Sequence, residues 1–295
     1  MVLERVLDLP FRLRLAVLAG YLLTFFYIEH ALADMGAQFG ILLLILLPAR
    51  YFSLGFFTIV IGGTIPMILN YYVADNHVFL IYYFAIAFAL AYAYTDDGEF
   101  RTAIYTYTKF LVGFLFLFAV IQKAKSPDYL SGEFFTLTLM LDERFFGLSA
   151  ALIGHEEAIA NLQARFDFID AYHSNDPANA TPGPSRPLIL NQDLVDLALV
   201  LTWANFGYQA ALCLLLFARM RALVWLKNIV SASFIVGTYL VAPVYAFGAM
   251  LCVMFYVLAE VELPRFRNVY LVLLALMTVY HFVFVGLLRA YGVPA

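Results

Sequence analysis

The sequence predicts an all-α fold, a polytopic bundle of about nine transmembrane helices. Composition is the first observation: 64% of the 295 residues are hydrophobic and only 13% are charged. A soluble domain is usually about 45 to 50% apolar, so this chain belongs with membrane proteins. The second observation is that apolar runs close to the roughly 20 residues needed to cross a bilayer recur along the chain. The third is a mean hydropathy of +0.86.

Each predicted span is an apolar run bounded by polar or turn-forming residues. The second run is short, and Pro243 interrupts the seventh and eighth, so 36–49 and 226–261 could be kinked or re-entrant. All the spans are assigned to one transmembrane domain, residues 1–295. They are predicted at 11–29, 36–49, 53–73, 78–95, 103–123, 192–217, 226–242, 244–261 and 269–289.

The lysines and arginines predict that the N-terminus is cytoplasmic. With that orientation most of the 17 basic residues fall in inner loops, as the positive-inside rule expects. Arg5, Arg12 and Arg14 precede the first apolar run, and no small-residue cleavage site follows it, which favours a retained span over a signal peptide. We therefore expect an integral protein of a bacterial inner (plasma) membrane, with Lys123 and Lys125 on the outer side.

Residues 124–191, between the fifth and sixth spans, are predicted to be a non-spanning outer segment. Asp142, Glu143 and Arg144 lie in the middle of its apolar first half, 133–166, which favours an interfacial or re-entrant helix over a lipid-facing span. The second half is rich in Pro, Asn, Ser and Gly, and is expected to be an exposed loop.

The sequence also argues against several classes of function. No basic cluster is interleaved with aromatic residues, so no nucleic-acid partner is expected. Cys213 and Cys252 lie within apolar runs, which predicts buried thiols and no disulfide.

No metal is assigned, because no histidine pair has a helical ligand spacing. Polar residues that could contribute to a metal site do cluster at the outer span ends, namely Glu29, His30, Asp34, Asp75 and His77.

Two lysines close the fifth span, in the stretch "FAVIQKAKSPDYLSG". Lys123 and Lys125 are about 200° apart around a helix, so at most one of them can face a given neighbour. Both could be interfacial anchors whose ammonium groups reach the lipid headgroups. Alternatively, one turns into the bundle, where a desolvated amine can serve as a general base. Of the two, Lys123 is the better candidate for the site and Lys125 for the anchor.

The stretch "FAVIQKAKSPDYLSGEFF" resembles the signature of the HTTM family, the membrane domain of vitamin K-dependent gamma-carboxylases and their bacterial relatives. The matching elements are a small residue, a lysine, a Pro-Asp-aromatic turn and a Ser-Gly pair. Counted from the turn aromatic, Lys123 lies one residue earlier than the family's lysine. These elements are Ala119, Lys123, Pro127, Asp128, Tyr129, Ser131 and Gly132.

The resemblance implies a site and a cofactor. Lys123 or Lys125 would be the base that starts oxygenation of a reduced quinone, with Asp128 beside it and Tyr129 at the ligand. A weaker resemblance over about 195–258 places Gln209 where the family often has an acid, and Ser231 or Ser233 near its histidine. Gln209 is therefore assigned to ligand binding rather than to catalysis.

His281 is a further candidate because an ionisable residue inside a span suggests function. A neutral imidazole that only bonds to a neighbouring carbonyl would explain it as well. The chain is also rich in Phe and Tyr, which could line a pocket for a quinone, a carotenoid or an acyl chain. Interfacial belts and lipid-facing packing would give the same composition.

Two main functions remain open from the sequence. One is a quinone-linked or lipid-linked membrane enzyme that uses a lysine base at the outer face. The other is a non-catalytic subunit or scaffold that contributes its spans to a larger membrane complex, with partner membrane subunits. A transporter is the least supported, because no inverted halves with matching interrupted spans are present.

Overall fold

The computed structural model describes residues 11–27, 76–92, 96–173, 188–218, 220, 222–241 and 244–290. Within these residues every regular element is helical and none is a strand, which confirms the all-α class. Two short 3₁₀ turns, Glu143–Phe145 and Pro264–Phe266, interrupt the α-helices. The α-helices are α1 (Phe11–Tyr27), α2 (Asn76–Tyr92), α3 (Asp97–Lys125), α4 (Pro127–Leu130), α5 (Glu133–Leu141), α6 (Phe146–Ile153), α7 (His155–His173), α8 (Gln192–Phe217), α9 (Leu223–Val241), α10 (Tyr245–Glu262) and α11 (Arg267–Ala290).

Helices lie where most of the spans were predicted. Among the described residues, two of them, α3 and α8, are long and apolar enough to cross a membrane, with 29 and 26 residues. At 1.5 Å per residue either helix is longer than the roughly 30 Å hydrocarbon core. The predicted spans 36–49 and 53–73 lie outside the described residues. The predicted spans that coincide with helices are 11–29, 78–95, 103–123, 192–217, 226–242, 244–261 and 269–289.

The described residues group into two compact units. The first unit comprises Met1–Leu115, Leu215–Ile235 and Tyr245–Tyr280. Its centre is α10, in which every side chain from Ala249 to Glu260 is buried. A helix that is apolar on all its faces must be surrounded, and α1 and α2 both pack against α10.

A buried carboxylate at the end of α10 is neutralised by arginines from three other helices. Glu260 is only 3% exposed, and its Oε1 accepts a hydrogen bond from Nη2 of the buried Arg14 at 3.0 Å. Arg267 Nη1 lies 2.8 Å from the other carboxylate oxygen, and Arg101 Nη2 lies 3.7 Å from Oε1. A buried charge is tolerated only with partners of this kind, so the cluster ties α1, α3 and α11 to α10 within this unit.

The second unit comprises Phe116–Leu214, Val236–Val244 and His281–Ala295. Its core lies between the helices α5, α6 and α7 and the start of α8. Hydrogen bonds from polar side chains also connect these elements. Asn161 makes two hydrogen bonds to the backbone of Ile189, and Asn191 Nδ2 donates to the Leu152 carbonyl at 2.9 Å. The larger buried apolar cluster consists of Leu139, Met140, Phe145, Leu194 and Ala198.

Residues 133–166, which the sequence predicts to be one interfacial or re-entrant helix, form three helices instead. Asp142 ends α5 because its carboxylate bonds to the backbone N–H of Arg144 at 3.0 Å and to the Arg144 guanidinium. An aspartate that bonds to nearby backbone in this way competes with helix continuation. Gly154 then ends α6 with φ of 103°, a conformation that favours glycine. The prediction of a single domain over 1–295 stays a prediction.

Candidate functional site

A tight turn after α3 brings an aromatic residue back to the lysine that precedes it. Ser126 caps α4, and its Oγ accepts a hydrogen bond from the Tyr129 N–H at 3.3 Å. Pro127 occupies the first position of that helix, where its missing N–H costs nothing. The Tyr129 ring is thereby buried, and its centre lies 5.1 Å from Lys123 Nζ.

The structure separates the two lysines at the end of α3. Lys123 is half-buried, and its Nζ donates a hydrogen bond to Gln209 Oε1 at 2.5 Å. Lys125, two residues further along the same helix, is exposed. The sequence predicts that the two lysines cannot both face the same neighbour, and the helix turns Lys123 toward α8.

A chain of hydrogen bonds continues from Gln209 back to Tyr129. Gln209 Nε2 donates to Asn205 Oδ1 at 3.0 Å, and Asn205 Nδ2 donates to Tyr129 Oη at 2.9 Å. The direction of this chain follows from Lys123, because an ammonium can only donate and so requires the amide oxygen of Gln209. We call Lys123, Gln209, Asn205 and Tyr129 the lysine cluster.

Tyr129 keeps its proton at neutral pH. Burial raises the pKa of Tyr129 to about 12, although the hydrogen bond from Asn205 opposes that rise. Since Asn205 already donates to the phenol oxygen, the phenol proton is left to donate to another acceptor. The lysine cluster thus presents an amine and a hydroxyl donor around one aromatic ring.

Charge at the lysine cluster comes from Lys123 alone. Within the part of the chain that the structure describes, no carboxylate forms an ion pair with Lys123. Asp128, which the sequence assigns to the site, is exposed, and only its backbone carbonyl is used, accepting from Ser131 Oγ at 3.1 Å. The neutral Gln209 amide and the face of the Tyr129 ring therefore stabilise the ammonium group, a role that a carboxylate has at most buried lysines.

The other predicted site residues are not members of the lysine cluster. His281 is half-buried on α11. Ser231, in the first unit, is buried and bonds to the Tyr270 hydroxyl at 2.6 Å and to the Asn228 carbonyl at 3.1 Å. Ser233 is exposed.

The residues that the structure describes contain no group of three His, Cys, Asp or Glu side chains that could hold a metal. Of the polar residues at the predicted outer span ends, His77 lies in α2, near its start. Glu29, His30, Asp34 and Asp75 fall outside the described residues.

Sequence reasoning missed Asn205. A signal for it was present, because Asn205 and Gln209 are one helical turn apart and their amides share one face of α8, beyond its polar first turns. Two amides at that spacing inside a span need partners, since an unsatisfied polar group in hydrocarbon is costly. In this chain the partners are Lys123 and Tyr129.

No protein-family model matches this chain, and comparison with curated proteins and with solved structures finds no significant match. The likeness of residues 118–135 to the HTTM signature therefore stays a hypothesis.

Proposed function

We propose that this chain is an integral membrane protein of the HTTM-like type that uses Lys123 as a base on the hydroxyl of a quinol or lipid. In this proposal it lies in a bacterial inner membrane with about nine spans and a cytoplasmic N-terminus. The lysine cluster is at the outer face. The site is built from Lys123, Gln209, Asn205 and Tyr129.

The observation that carries the proposal is that two neighbouring lysines, Lys123 and Lys125, differ in exposure and in hydrogen bonding. Lys125 is exposed, as an anchor at a span end would be, whereas Lys123 is bonded at 2.5 Å to a buried amide on another helix. An anchor gains most from reaching the headgroups. A lysine held inside the bundle by a neutral acceptor is better suited to take up a proton.

The chemistry follows from what each group can donate or accept. A neutral amine has two N–H groups and one lone pair, so Lys123 can donate to Gln209 and still accept the proton of a bound hydroxyl. The resulting ammonium is stabilised by the Gln209 oxygen and by the Tyr129 ring. The resulting oxyanion can accept a hydrogen bond from the phenol proton of Tyr129, which stays in place at neutral pH.

The test compares Lys123→Met with the matched control Lys125→Met. Native mass spectrometry of protein released gently from its own membranes is expected to show one chain with a quinone-sized or lipid-sized ligand. A short-chain hydroquinone, whose anion is oxidised by air far faster than its neutral form, is expected to oxidise at least about a hundredfold faster on the parent protein than on Lys123→Met. Lys125→Met should match the parent protein. Equal oxidation rates on the two variants would exclude Lys123 as a base for a quinol.

A non-catalytic membrane subunit is the second candidate, because neutral residues replace the charged partners expected of the family. Gln209 stands in place of an acid, and Ser231 is fully engaged with Tyr270 and Asn228. In that case Lys123 only ties α3 to α8. Native mass spectra would then show a fixed assembly with other membrane chains and no bound small molecule.

A further inference from the structure

A cavity of about 540 Å³ lies within the first unit, where several helices end. It is bounded by the side of α3, by the residues that follow α8, by the first turn of α9 and by the last turn of α10. By the positive-inside rule these helix ends belong to the cytoplasmic side of the membrane. The side chains that define it are Tyr105, Lys109, Met220, Trp225, Val261 and Glu262.

The cavity lining carries one cation, Lys109, and one anion, Glu262, and the adjacent Lys227 supplies a second cation that pairs with Glu262. Glu262 is satisfied on both oxygens: Oε1 accepts from the Tyr105 hydroxyl at 2.7 Å, and Oε2 pairs with the buried Lys227. Lys109 Nζ donates only to the neutral Tyr105 hydroxyl, at 3.4 Å. No carboxylate pairs with Lys109 among the described residues. Its ammonium, half-buried at the wall, is available to an anion.

The wall beside that charge is apolar and open. Met220 is 65% exposed and Trp225 is 53% exposed, and Val261 adjoins them. Contact with such a surface does not stabilise an inorganic anion, whereas it does stabilise an acyl chain. Tryptophan is also enriched at the boundary between lipid and water.

We propose that this cavity binds one anionic phospholipid of the inner leaflet. The phosphate contacts the Lys109 ammonium as a point charge, and the start of an acyl chain lies along Trp225 and Met220. Lys227 is not the ligand, because Glu262 holds it. The inference rests on the membrane placement in the proposed function, but not on any chemistry of Lys123.

The chain offers an internal probe because it has only two tryptophans, Trp203 and Trp225. Trp203→Phe leaves the tryptophan of the cavity wall, and Trp225→Phe leaves one exposed on α8. Each variant is reconstituted into phosphatidylcholine vesicles that contain a small fraction of brominated phosphatidylglycerol or, separately, of brominated phosphatidylcholine. Bromine quenches tryptophan fluorescence only at close range.

Trp225 is expected to be quenched about fivefold more effectively by the anionic brominated lipid, the effect of one lysine near a charged membrane surface. Trp203 should be quenched equally by both lipids. Adding Lys109→Gln to Trp203→Phe should abolish the preference, whereas Lys125→Gln should leave it unchanged. Circular dichroism of each variant checks that the helices remain.

Two results would overturn the proposal. One is equal quenching of Trp225 by the two lipids, which would show that the cavity beside Lys109 does not prefer an anionic lipid. The other is loss of the preference on adding millimolar inorganic phosphate inside and outside the vesicles, which would show a site for a free anion rather than for a lipid.

Discussion

Lys123 depends on a single strong acceptor, the side-chain oxygen of Gln209. Replacing Gln209 by Leu leaves the ammonium and the Asn205 oxygen without partners among the described residues. An unsatisfied buried group costs about 1 to 3 kcal/mol, so the free energy of unfolding in detergent should fall by that amount. Denaturant unfolding followed by circular dichroism measures it.

The matched control is Gln192→Leu on the same helix. Gln192 is exposed and bonds only to Asp196 one turn away, so its loss should change the unfolding free energy by less than about 0.5 kcal/mol. Equal effects of the two substitutions would show that the lysine cluster contributes nothing to the fold.

At the scale of elements, Asp142 decides where α5 ends, and it does so as a carboxylate. Burial alone would raise the pKa of Asp142, but the hydrogen bonds and charge of Arg144, together with Arg165, hold it below the ordinary value of 3.8. A carboxylate with a lowered pKa in the folded state stabilises the fold above its unfolded pKa. That stabilisation is lost as the pH falls through the lower, folded pKa.

Asp142→Asn should therefore lower the melting temperature at pH 7, and the difference from the parent protein should shrink as the pH falls below about 4. Thermal unfolding from pH 7 to pH 3 measures the gap between the two proteins. A gap that stays constant over this range would mean that the charge of Asp142 is not what stabilises the turn.

The central helix of the first unit, α10, depends on neutralising Glu260. Glu260→Leu would leave Arg14, only 6% exposed, without its carboxylate, and removing one partner of a buried pair costs about 3 to 5 kcal/mol. The control is Asp97→Asn, which breaks a pair whose Asp97 side chain is 74% exposed and should cost less than about 1 kcal/mol. Chemical denaturation of both variants in detergent measures the two changes in the free energy of unfolding. If Glu260→Leu is as stable as Asp97→Asn, the arginine cluster is not structural.

The helices could be predicted because their signal is local. Apolar runs and their polar ends gave the positions of α3, α8 and α10 to within a few residues, apart from the polar first turns of α3. The division of 133–166 into three helices was not predictable from apolar content. It depends on how Asp142 uses its carboxylate and on the positive φ of Gly154.

For the whole molecule, the sequence could propose the members of a site but not their pairing. Lys123, Tyr129 and Gln209 were each expected to matter, yet the contact between Lys123 and Gln209 depends on how α3 packs against α8. Residues 86 positions apart in the chain carry no periodicity that links them. Asn205 was missed for the same reason, because its partner Tyr129 lies in a different element.

The central claim is that α3 ends at the outer face with Lys125 in water and Lys123 turned into the lysine cluster. The most direct measurement is labelling of spheroplasts of an expressing bacterium with a membrane-impermeant amine reagent, read by tandem mass spectrometry of the peptide that carries both lysines. Lys125 should be modified in intact spheroplasts, and Lys123 should react at least ten times more slowly, as expected from about 1.4 kcal/mol or more of protection. Equal modification of the two lysines, or modification of Lys125 only after the membrane is opened, would contradict the account.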